Sequence, residues 1–284
     1  MKMGNRINLF REAVAVLKVQ SALPHPPLRR YIRSYVQRES GPVDRNIAEP
    51  VVARLGVMLE FQFGRHFEVP VCGSDITLRS PEIGIIGPMS QRTYCLIIRD
   101  HVEALTVLFR PQGFHAVFGI PTLVFADLGI EGHSVLGSDV SDLFEKLGNT
   151  KHFPERVILL DHFLTNAMAS RRPLEKVHRA LNQLIGPEPT VKIFDVAAMA
   201  GMTVRQLERR SLDYTGLTPK MLVRIARFQR ALRMKSDGSP SWAEIAHQLN
   251  YFDQMHMIRD FKAFTGDSPG RAIGQIATDH LISL

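Results

Sequence analysis

The sequence predicts an α+β chain, with a β-rich first part carrying trailing helices and an all-α second part. Three observations lead there. Residues 47–109 are broken into short apolar runs separated by turn residues. A stretch near the C-terminus is written twice, as Ala197–Pro219 and again as Ala246–Pro269. Charge is also divided unevenly, with 18 Lys and Arg against 17 Asp and Glu in residues 1–170, and 17 against 11 in residues 171–284. A length of 284 residues suits two domains, placed at 1–170 and 171–284 with a short linker near Ser170–Pro173. The excess of positive charge on the repeat-bearing part is what a phosphate-binding surface requires.

Residues 1–20 read as an amphipathic helix through Leu9, Ala13, Val16 and Leu17, with Pro24-His25-Pro26-Pro27 separating it from the body. From Ile47 the texture is β. Leu59-Glu60-Phe61-Gln62-Phe63 alternates with period two, so Glu60 is expected to face outward. Ile83–Ile86, Tyr94–Ile98 and Leu105–Phe109 are further short runs, punctuated by Gly73-Ser74-Asp75, Ser80-Pro81, Gly87-Pro88 and Arg99-Asp100. Many short strands with frequent turns indicate a sandwich or a small barrel. Helices are expected over Gln112–Gly119, Ser138–Leu147 and Pro154–Ala169, the last with Val157, Leu160, Phe163 and Leu164 on one face.

Function classes narrow quickly. The two cysteines, Cys72 and Cys95, form no C-x-x-C pair, so a reducing cytoplasm fits and a disulfide framework does not. Arg11, Glu12 and Lys18 interrupt the only N-terminal apolar stretch, so neither a signal peptide nor a membrane span is expected. No Gly-rich phosphate loop or G-x-S-x-G elbow occurs, and His66, His101 and His115 are scattered. The expectation is a protein that is not an enzyme and has no cofactor. His66, Cys72, Cys95 and His101 could together make a soft metal site, but unliganded core or surface residues are the simpler reading.

The repeat carries the chemistry. Its first halves register at an offset of 49 and its second halves at 50, a slip of one residue in the turn. Each copy has the parts of a helix-turn-helix. A short helix comes first, at Phe194–Ala200 and Trp242–Leu249, with small Ala at the crossing. Gly201 and Asn250 supply a turn residue tolerant of positive φ. Thr203 and Asp253 cap the second helix, and Leu207 and Met257 point back to the core. Thr-Gly-x-(Thr/Ser)-Pro closes each copy, glycine ending one helix and proline opening the next. Pro219–Met234 is the connecting helix.

The motifs A-x3-G-M-T-x-R-x-L-x-R, G-L-T-P-K-x-x-x-R-x-x-R-F-Q-x-A-L and D-Q-x-H-x-x-R-x-F-K-x-x-x-G-x-S-P, over roughly Leu174–Ile276, resemble the DNA-binding domain of the AraC/XylS family of bacterial transcription regulators. G-P-M-S-Q-R-x-Y and V-L-F-R-P-Q-G-F-H-A-V-F-G-I-P are similar to the N-terminal domains of a subgroup of these regulators. The resemblance implies a cupin-like barrel followed by dimerising helices. It also implies double-stranded DNA as a partner, with RNA polymerase, a homodimer and an unnamed small-molecule effector as further partners. A ligand-free first half that only dimerises is the alternative. A cupin-type metalloenzyme fused to a DNA-binding domain is a remote one.

On this reading Arg205, Glu208 and Arg209 of the first unit, and Gln254, Met255, His256 and Arg259 of the second, face the bases. Glu208 could accept from cytosine or orient a neighbouring Arg. Thr203, Lys220, Arg224 and Lys262 are candidate phosphate contacts; Lys220, Arg224 and Arg227 could instead bridge the domain. Two departures from the family pattern stand out. Ser211 occupies a position usually held by a core aromatic, and Met255 and Met257 replace the usual Ser and Phe.

Overall fold

The computed structural model describes residues 18–41, 47–99, 101–168, 175–186, 192–236 and 240–275. Among the described residues are ten strands in two sheets and eleven α-helices, all but the first helix following the last strand. The strands are β1 (Lys18–Ala22), β2 (Ile32–Glu39), β3 (Ile47–Pro50), β4 (Met58–Gln62), β5 (Glu68–Pro70), β6 (Thr77–Arg79), β7 (Ile83–Ile86), β8 (Cys95–Ile98), β9 (Glu103–Phe109) and β10 (Gly129–Glu131). One sheet has the order β1-β2-β9-β4-β7-β10 and the other β3-β8-β5-β6, with every named pairing antiparallel.

Register explains the layering. Tyr35, Val107, Leu59 and Ile85 are cross-strand partners and are buried, on the face that packs against helices. Those helices are α1 (Gly113–Phe118), α2 (His133–Leu136), α3 (Ser138–Gly148) and α4 (Phe153–Met168). Leu160 and Leu164 of α4 enter that core fully, with Val157 and Phe163 packed beside them. The opposite face carries Arg38, Ala104 and Gln62 in one row and Thr106 and Glu60 in the next. Ala104 clusters there with Ile98 of the four-stranded sheet and with Phe67.

Three sequence expectations are corrected here. Residues 18–22 are strand, not helix; the rest of the expected N-terminal helix lies outside the described residues. The β region starts well before Ile47, because β1 and β2 are the first two strands of the larger sheet, with β2 paired between β1 and β9. Glu60 does not face outward: it accepts from Gln62 Nε2 at 2.9 Å and from the Thr106 hydroxyl at 3.3 Å. The expected linker at Ser170–Pro173 lies outside the described residues.

The second half is helical: α5 (Glu175–Ile185), α6 (Ile193–Met199), α7 (Val204–Thr215), α8 (Pro219–Ser236), α9 (Trp242–Gln248), α10 (Gln254–Thr265) and α11 (Pro269–Gln275). Its core gathers Val196, Leu207, Leu222, Ile225, Phe228, Leu232, Ile245, Met257, Phe261 and Phe264. Val52, Ala53 and Leu55, from the loop between β3 and β4, belong to the same cluster. The two halves therefore share buried apolar surface. None of the helices among the described residues is long and apolar enough to cross a membrane.

Candidate nucleic-acid interface

Helices α6 and α7 make one helix-turn-helix, α9 and α10 a second, and α8 joins them. The turns use positive φ where expected, Gly201 at +69° and Asn250 at +53°. Asn is one of the few side chains that tolerates this region. Thr203 accepts from the Gln206 amide at 3.2 Å while the Gln206 side chain accepts from the Thr203 amide at 2.9 Å, a complete capping box. Asp253 caps α10 by accepting from the His256 amide at 2.6 Å. Ser241 and Glu244 form a second capping box ahead of α9.

The two units agree down to single hydrogen bonds. Thr215 Oγ1 donates to Ser211 O at 2.6 Å, and Thr265 Oγ1 to Phe261 O at 2.8 Å. Each hydroxyl also accepts from the amide two residues on, Leu217 or Asp267. Gly216 and Gly266 then end the helices in the left-handed region.

Arg205, Glu208 and Arg209 are exposed on α7, and Gln254, Met255 and Arg259 on α10. His256 is half-buried, edge-on to Tyr251 at 5.6 Å. Lys220 and Lys262 are exposed, and Thr203 is exposed although its hydroxyl serves the cap. Arg224 takes the bridging role of the two foreseen for it. Its Nε and Nη2 donate to Asp260 Oδ1 at 3.0 and 2.6 Å, and Asp260 is buried. Arg227 lies over the Tyr251 ring at 4.8 Å and donates to Asn250 O at 3.3 Å. Phe252, in the second turn, was not among the expected site residues; it is 92% exposed, and Met255 is 54% exposed. The place of Phe252 immediately before the Asp253 cap was the available signal.

In the first half no trio of His, Cys, Asp or Glu among the described residues is placed to hold a metal ion. His66 Nδ1 meets Ser80 O at 2.6 Å, His101 hydrogen-bonds with Ser40 O, and Cys72 is exposed. Between the sheets, Arg38 donates to Thr106, Thr106 to Glu60, Gln62 to Glu60 and Ser80 to Gln62. An open pocket of 430 Å³ lies at the sheet end, lined by Lys18, Glu39, Ser40, Gly41, His101 and Glu103.

Residues 196–274, spanning both units and the helix between them, match the family described as "Helix-turn-helix domain". A curated relative is the uncharacterized HTH-type transcriptional regulator YidL of Escherichia coli (strain K12). The two are 32% identical over 103 residues, 36% of this chain and 34% of the relative. The chain thus carries, over residues 196–274, the helix-turn-helix domain that its resemblance to AraC/XylS regulators implies. The shared segment spans about a third of YidL. Residues 20–131 match a second family, described as "Domain of unknown function (DUF6597)". Among solved structures, ToxT from Vibrio cholerae O395 aligns over 93% of this chain and 99% of its own, with 8% identity and a TM-score of 0.47. Unsaturated fatty acid-bound wild-type ToxT from Vibrio cholerae strain SCE256 aligns over 92% and 96%, with 9% identity and a TM-score of 0.48. The helix-turn-helix domain of this chain is thus a pair of side-chain-capped helices that leave Arg205, Arg209, Gln254 and Arg259 exposed.

Proposed function

We propose that the chain is a one-component transcription regulator. Two helix-turn-helix units bind double-stranded DNA, and the N-terminal domain binds a small-molecule effector that alters how they are presented. The observation that carries the DNA-binding part is the pair of capped helices with exposed Arg205, Arg209, Gln254 and Arg259, joined by the 18-residue α8. A helix of that length spans roughly 27 Å, suited to placing two recognition helices in successive major grooves. Arginine matches guanine O6 and N7, glutamine matches adenine, and Met255 suits a thymine methyl. Glu208 either accepts from cytosine or orients an arginine. Thr203, Lys220 and Lys262 serve phosphates. Recruitment of RNA polymerase, a homodimer and a cytoplasmic location complete the reading.

A second reading drops the effector and leaves the first half as a dimerisation module. One observation favours it: the hydrogen-bond chain from Arg38 through Thr106, Glu60 and Gln62 to Ser80 already satisfies polar groups between the sheets.

DNA titrations of the full chain test the first part. Log affinity should fall linearly with log salt, with a slope of about −4 to −8. Arg209→Ala and Arg259→Ala should each weaken a selected duplex by about 1–3 kcal/mol and relax preference at one base position, whereas Lys262→Ala weakens all sequences alike. Equal loss on selected and random duplexes in both Arg variants would make them backbone contacts. A thermal-shift screen of the full chain against metabolites separates the two readings. An effector at about a hundredfold excess over its Kd adds about 2.7 kcal/mol of apparent stability, and a true effector must also change DNA affinity.

A further inference from the structure

The last carbonyls of a helix have no partner within it. At the same place in both units, the N-terminal domain supplies one. At the end of α7 the buried Thr122 hydroxyl donates to Tyr214 O at 3.1 Å. At the end of α10 the Ala53 amide donates to Phe264 O at 3.1 Å and the Arg92 amide to Ala263 O at 3.2 Å. Arg92 Nη1 adds a bond to Thr265 O at 3.1 Å. Tyr214 and Phe264 are equivalent in the 50-residue register of the repeat, as are the capping glycines that follow. The approach is close at both glycines. A Cβ on Gly216 would lie 2.9 Å from Pro88 Cγ and 3.1 Å from Thr122 O; one on Gly266 would lie 2.4 Å from Arg92 Nη1.

The donors stand on one knitted platform. Arg54 and Met89 exchange backbone hydrogen bonds at 2.9 and 3.0 Å. Asp127, held in the left-handed region at φ +59°, accepts from the Ser90 amide at 2.6 Å and from the Ser90 hydroxyl at 2.7 Å. Its own amide donates to Pro88 O at 2.9 Å, and its carbonyl accepts from the Tyr94 hydroxyl at 3.1 Å. Gly87–Tyr94, the G-P-M-S-Q-R-x-Y motif, thus reaches one recognition helix through Pro88 and the other through Arg92.

We infer that this platform fixes the relative placement of the two recognition helices, with Arg92 and Thr122 as positioning residues that set the spacing of the two DNA half-sites. The inference rests on the DNA-binding reading above. Helix α8 alone would be a single strut between the units; the platform adds a second connection and closes a ring. A closed ring resists change of both distance and twist. One inserted base pair rotates the second half-site by roughly 34°, which a rigid pair cannot follow.

The test uses the full chain and a random duplex library to select a two-box site, followed by titration of duplexes whose boxes are moved apart or together by single base pairs. The wild type should lose roughly tenfold in affinity per base pair of displacement. In Arg92→Ala and in the shape-preserving Thr122→Val the loss should shrink to roughly threefold or less, with Arg92→Lys restoring most of the penalty. Thr122→Val keeps side-chain volume, so it reports even if Arg92→Ala does not fold. Unchanged spacing profiles in folded variants overturn this inference alone, as does selection of a single-box site by the wild type. Failure of the wild type to enrich any duplex removes the DNA-binding reading and this inference with it.

Discussion

The two helix-turn-helix units share a backbone plan and differ in what fills them. The second is packed from within. Phe261 meets Phe228 at 4.9 Å and Trp242 at 5.3 Å, and Phe264 meets Phe228 at 5.2 Å, all edge-on or tilted. In the first unit Ser211 stands where Phe261 stands in the second, buried, with its hydroxyl donating to Leu217 O at 2.6 Å. Tyr214 takes the place of Phe264, but its ring partners come from elsewhere. His115 of α1 stacks on it at 3.9 Å, and His178 of α5 meets its edge at 5.6 Å. A duplicated unit can therefore exchange an aromatic core for a hydrogen bond when a neighbour supplies the rings. The first unit is coupled to the N-terminal domain by its packing, and the second mainly by hydrogen bonds at its end.

The comparison breaks hardest at Phe261. Phe261→Ala should cost about 3–5 kcal/mol in denaturant unfolding of the full chain, because a fully buried aromatic leaves a cavity among rigid rings. A cost below about 1 kcal/mol would show that the second unit is not held from within.

Acid should test the first unit. Burial, then His115 and Arg30, push the His178 pKa down to about 4. Near pH 6 the unfolded chain, with its ordinary histidine, takes up this proton before the folded one does. The His178 contribution to stability is complete above about pH 6.5 and is lost as pH falls toward about 4. His178→Gln should flatten that part of the pH profile of the denaturation midpoint. An unchanged profile would remove His178 from the account. Solvent reaching this half-buried ring keeps the effect smaller than that at Phe261.

The smallest effect belongs to Ser211. Ser211→Ala should cost about 0.5–1.5 kcal/mol, the worth of the one hydrogen bond that its hydroxyl donates to Leu217 O. A loss as large as that at Phe261 would mean that the hydroxyl, not the imported rings, holds the first unit.

Much of the second half was legible because its signals are local. Gly201, Asn250, Thr203 and Asp253 act within a few residues of themselves, and each does what its chemistry suggests. Strand β2 was missed for a physical reason. A register irregularity between Ile32 and Ser34 breaks its alternation, and Gln37 is buried on the core face, where it accepts from Arg156 of α4 at 3.1 Å. Strand β10 has only three residues, too few for a period to show. Long-range pairings left no trace in spacing. Arg224 and Asp260 are 36 residues apart, and nothing near Arg92 announces that Thr265 lies beside it. The repeat also indicated which positions of α7 and α10 are exposed, whereas the surface that holds the far ends of these helices left no local signal.

Every donor in the platform precedes the helices it caps. Ala53, Arg92 and Thr122 leave the ribosome before Val204 is made, and β10 ends at Glu131. Domains generally form as units in the order of synthesis. The two helical repeats therefore emerge beside a finished mould, and each can dock as soon as its glycine is in place. A nascent chain stalled shortly before Gly266, with Gly216 already clear of the ribosome, would hold its first unit in register while the second was still being made. The repeat that imports its packing is also the one synthesised first, next to the domain that supplies it.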